Sequence, residues 1–344
     1  MKFSTNIILY PVNKALEKAV EHYKTLVSDD EARSASADTN VTIADNFIYT
    51  RGNFEQHRYS ANVFETACET LEAALAEKLR EPESEQYRLE LAEIHNSLGN
   101  ILAALGQNLQ DAGLYNKSIA SFNSALEILS QEDSPLEWAA TQSNLGTAKQ
   151  ALGRQESDTK LLNSAIDAYT AALLEYTRKE TPEEWSLVMF QLGATFHAYG
   201  CLLKGNRAFQ KSVVAYKNAL AELDADNYAF ELAATHNNRA AVLHHLGESE
   251  ENPDRLEEAI RSYETALTIC MEQQLPFHLA VICRVNKATA QNVLAELTND
   301  AMLAEEVADE FELILECFPH ALQPLSVKHC KAQFSKAQSL STLS

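Results

Sequence analysis

The chain has 344 residues, with 28 basic against 49 acidic side chains and a formal net charge of −21. A field of that sign repels phosphate backbones and anionic lipid surfaces, so we expect neither nucleic acid nor a membrane as a partner. Apolar residues make up 46%, which argues against wholesale disorder, and 10 glycines and 8 prolines are too few for a turn-rich β-sandwich. The composition predicts a helical protein.

The first 86 residues are predicted to form an N-terminal helical segment with one degenerate repeat. Residues 12–27 have the spacing of an amphipathic helix, residues 28–40 favour a loop, and the apolar run at residues 7–10 is too short for a signal sequence or a membrane span. A stripe of small and apolar positions farther along resembles the second helix of a repeat, at Cys68, Leu71, Ala74 and Leu75. The six cysteines form no CxxC pair, which favours a reducing compartment, and we predict a cytoplasmic protein.

Glycine recurs along the remaining chain at a fixed interval of 47 residues. Four glycines that follow a bulky apolar residue share one register, at Gly106, Gly153, Gly200 and Gly247. Three glycines that follow a leucine share another, at Gly99, Gly146 and Gly193. Prolines share a third register, and each is predicted to start a helix because its missing N–H costs nothing there: Pro135, Pro182 and Pro276. A period of this length predicts a stack of repeated helix pairs.

Each repeat is predicted to contain two helices. In one repeat the stripe of the first helix covers Trp138, Leu145, Ala148 and Leu152, and Gly153 is predicted to close that helix in the left-handed conformation. A polar connection at residues 154–159 leads to the stripe of the second helix, at Leu162, Ala165, Tyr169 and Ala172. An aromatic ring three residues before an alanine recurs in the second helices, at Phe122, Tyr169, Tyr216 and Tyr263. Neighbouring helices need such a pairing of large and small side chains to pack closely.

These residues resemble tetratricopeptide repeats, whose pattern is Leu-Gly in the first helix followed by small, aromatic and small residues in the second. Here the pattern reads Leu145-Gly146, then Ala165, Tyr169 and Ala172. The sequence looks most similar to the long-repeat, mostly bacterial form, in which a tryptophan precedes Asn-Leu-Gly. The resemblance covers four clear repeats at residues 87–274, and residues 275–344 look like a degenerate fifth repeat and a C-terminal capping helix. It implies an all-α fold, a right-handed superhelical α-solenoid of antiparallel helix pairs.

Motifs for catalysis are absent from the sequence. No GxxxxGK, GxGxxG, GxSxG or HExxH occurs, so we predict no enzymatic activity and no cofactor. Asp224, Asp226 and Asn227 lack the ligand spacing and the central glycine of a calcium loop, and we predict a solvated loop there. His197 and His244 share a register, but no cysteine or carboxylate lies at ligand spacing, so we predict no metal site.

The resemblance directs the first helix of each repeat toward a concave face, where side chains would bind a partner. Amides on that face can donate to and accept from the backbone of an extended peptide. The residues predicted to bind a partner are Asn96, Asn100, Ser143, Asn144, Gln191, His197, Asn237, Asn238 and His244. One subtype of the family holds an acidic chaperone tail with asparagines and basic residues, but the basic places here read Asn96, Leu187 and Gln191. Without those cations, and with a net charge of −21, we expect a neutral or basic partner segment.

Three functional hypotheses follow from the sequence. The leading one is a non-catalytic scaffold that binds a peptide or helix of another protein in the concave groove. The second is a regulatory solenoid that tightens around a small ligand or a signalling peptide. The third is a homo-oligomeric assembly module, in which the terminal repeats and residues 7–10 dock on another copy of the chain.

Overall fold

The computed structural model of the protein describes residues 54–80, 85–203, 205–318 and 324–342. Those residues form twelve α-helices, and none of them lies in a β-strand, which confirms the predicted all-α fold. The helix predicted at residues 12–27, the loop at residues 28–40 and the apolar run at residues 7–10 all lie outside the described residues.

The helices fall into two compact units, of which one ends at Pro182 and the other begins at Glu183. The first unit contains α1 (Phe54–Lys78), α2 (Glu85–Leu109), α3 (Ala112–Ile128), α4 (Pro135–Glu156) and α5 (Thr159–Ala172). The second contains α6 (Pro182–Leu203), α7 (Asn206–Leu220), α8 (Ala229–Ser249), α9 (Pro253–Glu272), α10 (Phe277–Thr298), α11 (Ala301–Cys317) and α12 (Pro324–Ser341). Within each unit the contacts join helices that are adjacent or next but one along the chain, which is the packing of a solenoid of helix pairs.

Recurring residues start the helices. Pro135 and Pro182 are the first residues of α4 and α6, and α10 starts directly after Pro276, so the predicted role of the proline register is confirmed. The second helices begin at an N-cap whose side-chain oxygen accepts a backbone N–H, at Asp111, Asp158, Asn252 and Asp300. α7 is the exception, because Gly205 stands at that place and has no side chain to offer.

The prediction that Gly153 closes its helix is wrong. Helix α4 runs on to Glu156, and Ser157 takes the left-handed conformation with a φ of 56°. No glycine among the described residues has a positive φ. The connection between α4 and α5 is therefore only two residues long, and the N-cap Asp158 follows at once.

Both glycine registers instead provide space between the two helices of a pair. A Cβ built on Gly146 would lie 2.8 Å from the ring of Tyr169, and one on Gly193 would lie 2.8 Å from the ring of Tyr216. In the second register a Cβ would lie 2.9 Å from the Phe209 ring at Gly200, and it would meet leucine side chains or backbone of the second helix at Gly106, Gly153 and Gly247. The predicted pairing of a large ring with a small residue is thus confirmed, but the small partner across the pair is a glycine rather than the alanine of the same helix.

The last helix covers the end of the second unit. Cys330 and Ala337 of α12 are both fully buried and belong to one cluster with Val285, Ala288 and Phe311. The exposed side of the same helix carries two lysines, at Lys328 and Lys331. Helix α12 therefore packs one face on the last helix pair and turns lysines to solvent, and its role as a cap of the array stays a prediction.

One helix in the described part of the chain, α6, is long and apolar enough to cross a membrane by length and composition alone, with a mean hydropathy of 1.3 over its most apolar window. Half of that window is buried inside the protein. A helix in a protein core passes the same test, and the glycine contacts of α6 with α7 place it in the core of the second unit.

Candidate functional site

The structure divides the nine predicted partner-binding residues into two groups. Five are buried, with at most 5% of the side chain exposed: Asn100, His197, Asn237, Asn238 and His244. The other four are half-buried: Asn96, Ser143, Asn144 and Gln191. We therefore correct the assignment of the first five to a partner-binding surface, because a ligand docked on the protein cannot reach them.

The buried asparagines bond to one another. The side-chain amide of Asn286 on α10 donates to the side-chain oxygen of Asn237 on α8 at 2.9 Å, and the amide of Asn237 donates to the oxygen of Asn238 at 3.1 Å. Interior amides need such partners because an unpaired buried polar group is costly. The regular spacing of amides in the first helices of successive pairs thus serves packing within the second unit.

Polar side chains also form hydrogen bonds between α10 and α12. The amide of Asn292 donates to the backbone oxygen of Gln333 at 3.0 Å and to its side-chain oxygen at 2.8 Å. The hydroxyl of Thr289 lies 3.0 Å from Nε2 of His329. Polar side chains of α10 therefore form hydrogen bonds with α8 on one side and with α12 on the other.

The two histidines predicted to bind a partner, His197 and His244, are buried in the core. His197 lies edge-on to Phe209 with ring centroids 5.6 Å apart, and His245 lies 4.4 Å from the same ring. Burial, helped by the neighbouring charge of His245, lowers the pKa of His244 to about 3, so the ring is neutral at pH 7. No group of three His, Cys, Asp or Glu residues that could hold a metal ion occurs among the residues the structure describes.

The half-buried residues remain accessible, and their contact with a partner stays a prediction. The amide of Asn96 on α2 already donates to the hydroxyl of Thr141 on α4 at 2.7 Å. The backbone oxygen of Ser143 accepts the hydroxyl of Thr147 at 3.1 Å, a bond within α4. Each of these contacts leaves part of the side chains of Asn96 and Ser143 open to solvent.

The predicted solvated loop is present between α7 and α8. The carboxylate of Asp224 accepts the backbone N–H groups of Asp226 and Asn227, at 3.0 and 2.9 Å, and the side-chain amide of Asn227. These hydrogen bonds, chiefly those from Asn227, lower the pKa of the fully exposed Asp224. The three residues close a turn with one another.

A groove that the sequence analysis did not single out lies between α6 and α7. It has a volume of about 460 Å³, and its walls are one stripe from each helix: Met189, Leu192 and Phe196 on α6, and Arg207, Gln210, Lys211, Val214, Ala215 and Asn218 on α7. Val214 is 58% exposed, which is unusual for a valine at a helix–helix contact. The floor of this α6/α7 groove is therefore apolar and open to solvent.

The rim of the α6/α7 groove is basic. The Lys211 ammonium lies 5.2 Å from the centroid of the Phe196 ring, so its stem follows the apolar floor while its charge stays at the edge. Arg207 and Lys217 are also exposed on α7, which contains no acidic residue. Within the described ranges none of these three cations forms an ion pair.

Two pairs, α8/α9 and α4/α5, use polar contacts at the registers where the α6/α7 pair has an open groove. On α8 and α9, Arg239 and Glu258 take the places of Leu192 and Lys211 and form an ion pair. On α4 and α5, Lys149 and Ser164 take the places of Phe196 and Lys211, and the ammonium donates to the hydroxyl at 2.8 Å. The signal available in the sequence was thus the absence from α6/α7 of the matched polar side chains seen in α4/α5 and α8/α9; α2/α3 also lacks them, with Leu102 and Lys117 at the places of Phe196 and Lys211.

Comparisons with known proteins add little to this description. No protein-family profile matches the chain, and no curated protein matches it. A solved structure of the TPR2AB-domain:pHSP90 complex of yeast Sti1 is similar at 17% sequence identity, over 83% of this chain and 98% of that chain, with a TM-score of 0.27. The helix-pair fold described above rests on the helices themselves.

Proposed function

We propose that the protein is a non-catalytic scaffold that binds a segment of another protein, and that the α6/α7 groove is its principal contact. The observation that carries this proposal is the open apolar floor, formed by Met189, Phe196 and Val214 beneath a polar rim. Apolar side chains left exposed together, with polar residues around them, mark sites of protein contact. A scaffold of stacked helix pairs supplies the rigid frame that holds such a groove open.

The shape of the groove suits a helical segment. The α6 stripe has the spacing i, i+3 and i+7, so it spans about two turns, or roughly 10 Å along the axis. The α7 stripe runs beside it with spacings of three and four residues. A ligand helix lies in such a trough with its own apolar anchors at i, i+3 or i+4, and i+7.

The half-buried residues of the first helices are kept as proposed polar contacts. Ser143, Asn144 and Gln191 offer a hydroxyl and amides to other parts of the same partner, and Asn96 offers only its amide N–H groups because its Oδ1 is buried. These polar contacts form a second proposed binding surface, distinct from the groove. We also propose that the protein is cytoplasmic. Neither is needed for the groove to bind.

Selection of helical peptides tests the proposal without assuming a partner. A displayed library of two- to three-turn amphipathic helices, unbiased in charge, is selected on the full chain. Recovered peptides should lose at least tenfold in affinity for a variant with Met189→Gln and Val214→Gln, which removes the apolar floor and leaves the charge unchanged. A matched control is Met271→Gln with Met302→Gln, two exposed methionines outside the groove, 65% and 77% exposed.

Two results would contradict the proposal. One is that no peptide is enriched above the display background. The other is that enriched peptides bind the groove variant as tightly as the unaltered chain, which would place the contact elsewhere.

A further inference from the structure

If the α6/α7 groove binds a partner segment, as proposed above, the charge of the groove indicates which kind of segment it binds. We infer that the groove selects an amphipathic helix whose apolar stripe is flanked by acidic side chains. This ligand is opposite in charge to the neutral or basic segment that the net charge of the chain suggests. The inference rests on three observations: the rim is positively charged, its cations form no ion pair among the described residues, and the floor offers few hydrogen-bonding groups to the backbone of a ligand.

The rim presents positive charge with no negative charge among the lining residues. Arg207 and Lys211 belong to the lining, which contains no aspartate or glutamate, and Lys217 adds a third exposed cation on the same helix. At physiological ionic strength charges act over about 8 Å, so a bound segment experiences the rim rather than the summed charge of −21. The local field therefore favours a carboxylate on the ligand.

The cations of the rim form no ion pair within the described part of the chain. On α10 and α11 of the same unit, Nε and one Nη of Arg284 both donate to the carboxylate of Glu310, and on α8 and α9 Arg239 is paired with Glu258. Lys211 by contrast rests on the Phe196 ring, which holds its ammonium at the edge of the apolar floor. A carboxylate that arrives with the ligand would complete a charge-assisted hydrogen bond there.

The floor also distinguishes a helix from an extended peptide. An extended chain needs partners for its own N–H and C=O groups, but the amide of Asn218 is directed at the sulfur of Met189, 3.9 Å away, and Gln210 is the only other amide in the lining. A helix satisfies its backbone internally and needs only apolar contact from the floor. The groove therefore fits a helix with three apolar anchors.

The probes are three helical peptides of the same length, acetylated at one end and amidated at the other. All have leucine at i, i+3 and i+7, and the flanking positions are glutamate in the first, glutamine in the second and lysine in the third. Fluorescence anisotropy against the full chain measures the dissociation constants. We expect the glutamate peptide to bind at least fivefold more tightly than the glutamine peptide and at least thirtyfold more tightly than the lysine peptide.

Charge reversal at the rim provides the decisive variant. Arg207→Glu with Lys211→Glu should invert the order, so that the lysine peptide binds more tightly than the glutamate peptide. The matched control, Lys328→Glu with Lys331→Glu on the exposed side of α12, makes the same change in net charge and should keep the original order. Both pairs are exposed, and circular dichroism checks that the helices are intact.

Each possible outcome has a separate meaning. If the three peptides bind equally, or if charge reversal at the rim leaves their order unchanged, the inference fails while the proposed scaffold stands. If none of the peptides binds and the library yields none, the proposed function itself fails. A concentration-dependent dimer in sedimentation, lost on charge reversal at the rim, would make a second copy of this chain the occupant and overturn the assignment to a partner.

Discussion

The side-chain amide of Asn286 donates a hydrogen bond of 2.9 Å to the side-chain oxygen of Asn237, and both residues are at most 1% exposed. The two asparagines lie on α8 and α10, the first helices of successive pairs. Asparagines that the sequence suggests as partner-binding groups therefore form a buried hydrogen bond between two helices of the protein. Stability, rather than partner binding, should respond when it is changed.

Alanine at either asparagine should lower stability. Asn237→Ala leaves the Asn286 amide without this acceptor, and a buried polar group that loses its bond costs about 1–3 kcal/mol. The double variant should cost less than the two single variants together, by about 1 kcal/mol, because the second change removes a group that has already lost this bond. Urea unfolding midpoints of the four proteins measure this, and strictly additive midpoints would show that the bond does not couple the two helices.

The glycine registers predict a contrast between two substitutions in one unit. Gly193→Ala places a Cβ 2.8 Å from the Tyr216 ring, and overpacking of this kind costs about 1–3 kcal/mol. Alanine gains about 1 kcal/mol of helix propensity over glycine, so we expect a net loss of up to about 2 kcal/mol. Gly205→Ala is the control, because no atom lies within 4 Å of its Cβ and the backbone φ is −127°. Thermal unfolding should separate the two, and equal melting temperatures would refute the packing role of Gly193.

Acid should weaken the second unit through His244. Burial lowers the pKa of its ring to about 3, against about 6.5 in the unfolded chain, so between these values only the unfolded chain takes up the proton. The stabilising contribution of the neutral ring is complete above pH 6.5 and is lost as the pH falls toward 3, with about 2 kcal/mol lost at pH 5. His244→Gln should therefore show a smaller drop in unfolding midpoint between pH 7.5 and pH 5 than the unaltered chain.

A second histidine supplies the control for that experiment. His278 is only half-buried, and burial lowers its pKa as well. We expect His278→Gln to change the pH dependence less than His244→Gln does. A variant at His244 whose midpoint falls with pH as steeply as that of the original chain would show that this ring carries no part of the acid sensitivity.

The capping role of α12 can be tested at adjacent residues. Ala337 is fully buried against the last helix pair, and Gln338 is exposed. Ala337→Glu forces a charge into that contact and should detach α12, whereas Gln338→Glu adds the same charge in solvent. Hydrogen exchange should show faster exchange in α10 and α12 for the first variant alone. Unchanged protection in both would mean that α12 does not cover the core.

Much of the fold follows from local patterns. Proline at the start of α4 and α6 and the spacing of apolar residues act within one or two turns, so they can be read along the chain. The role of Gly153 could not be read in that way. Glycine ends helices in the left-handed conformation and also permits close packing inside them, and only the position of Leu162 across the pair decides for packing.

The residues of the candidate site could not be predicted from one sequence, because their exposure depends on how neighbouring helix pairs pack. Whether Asn144 or Asn237 faces solvent is decided by the neighbouring helix pair, and the first is half-buried while the second is fully buried. The α6/α7 groove could have been suspected from a comparison of repeats at one register. Leu102, Lys149 and Leu243 stand where Phe196 stands, so Phe196 is the one aromatic ring at this place in the four clear repeats, and a lysine at the place of Lys211 recurs only as Lys117.

Methyl NMR of the full chain with the glutamate peptide tests the central claim most directly. We predict that the methyl signals of Met189, Leu192 and Val214 shift on titration and saturate at one equivalent, while that of Leu279, buried in α10, stays in place. Shifts of equal size at Leu279, or none at the three groove methyls despite binding, would contradict the assignment of the α6/α7 groove as the binding site.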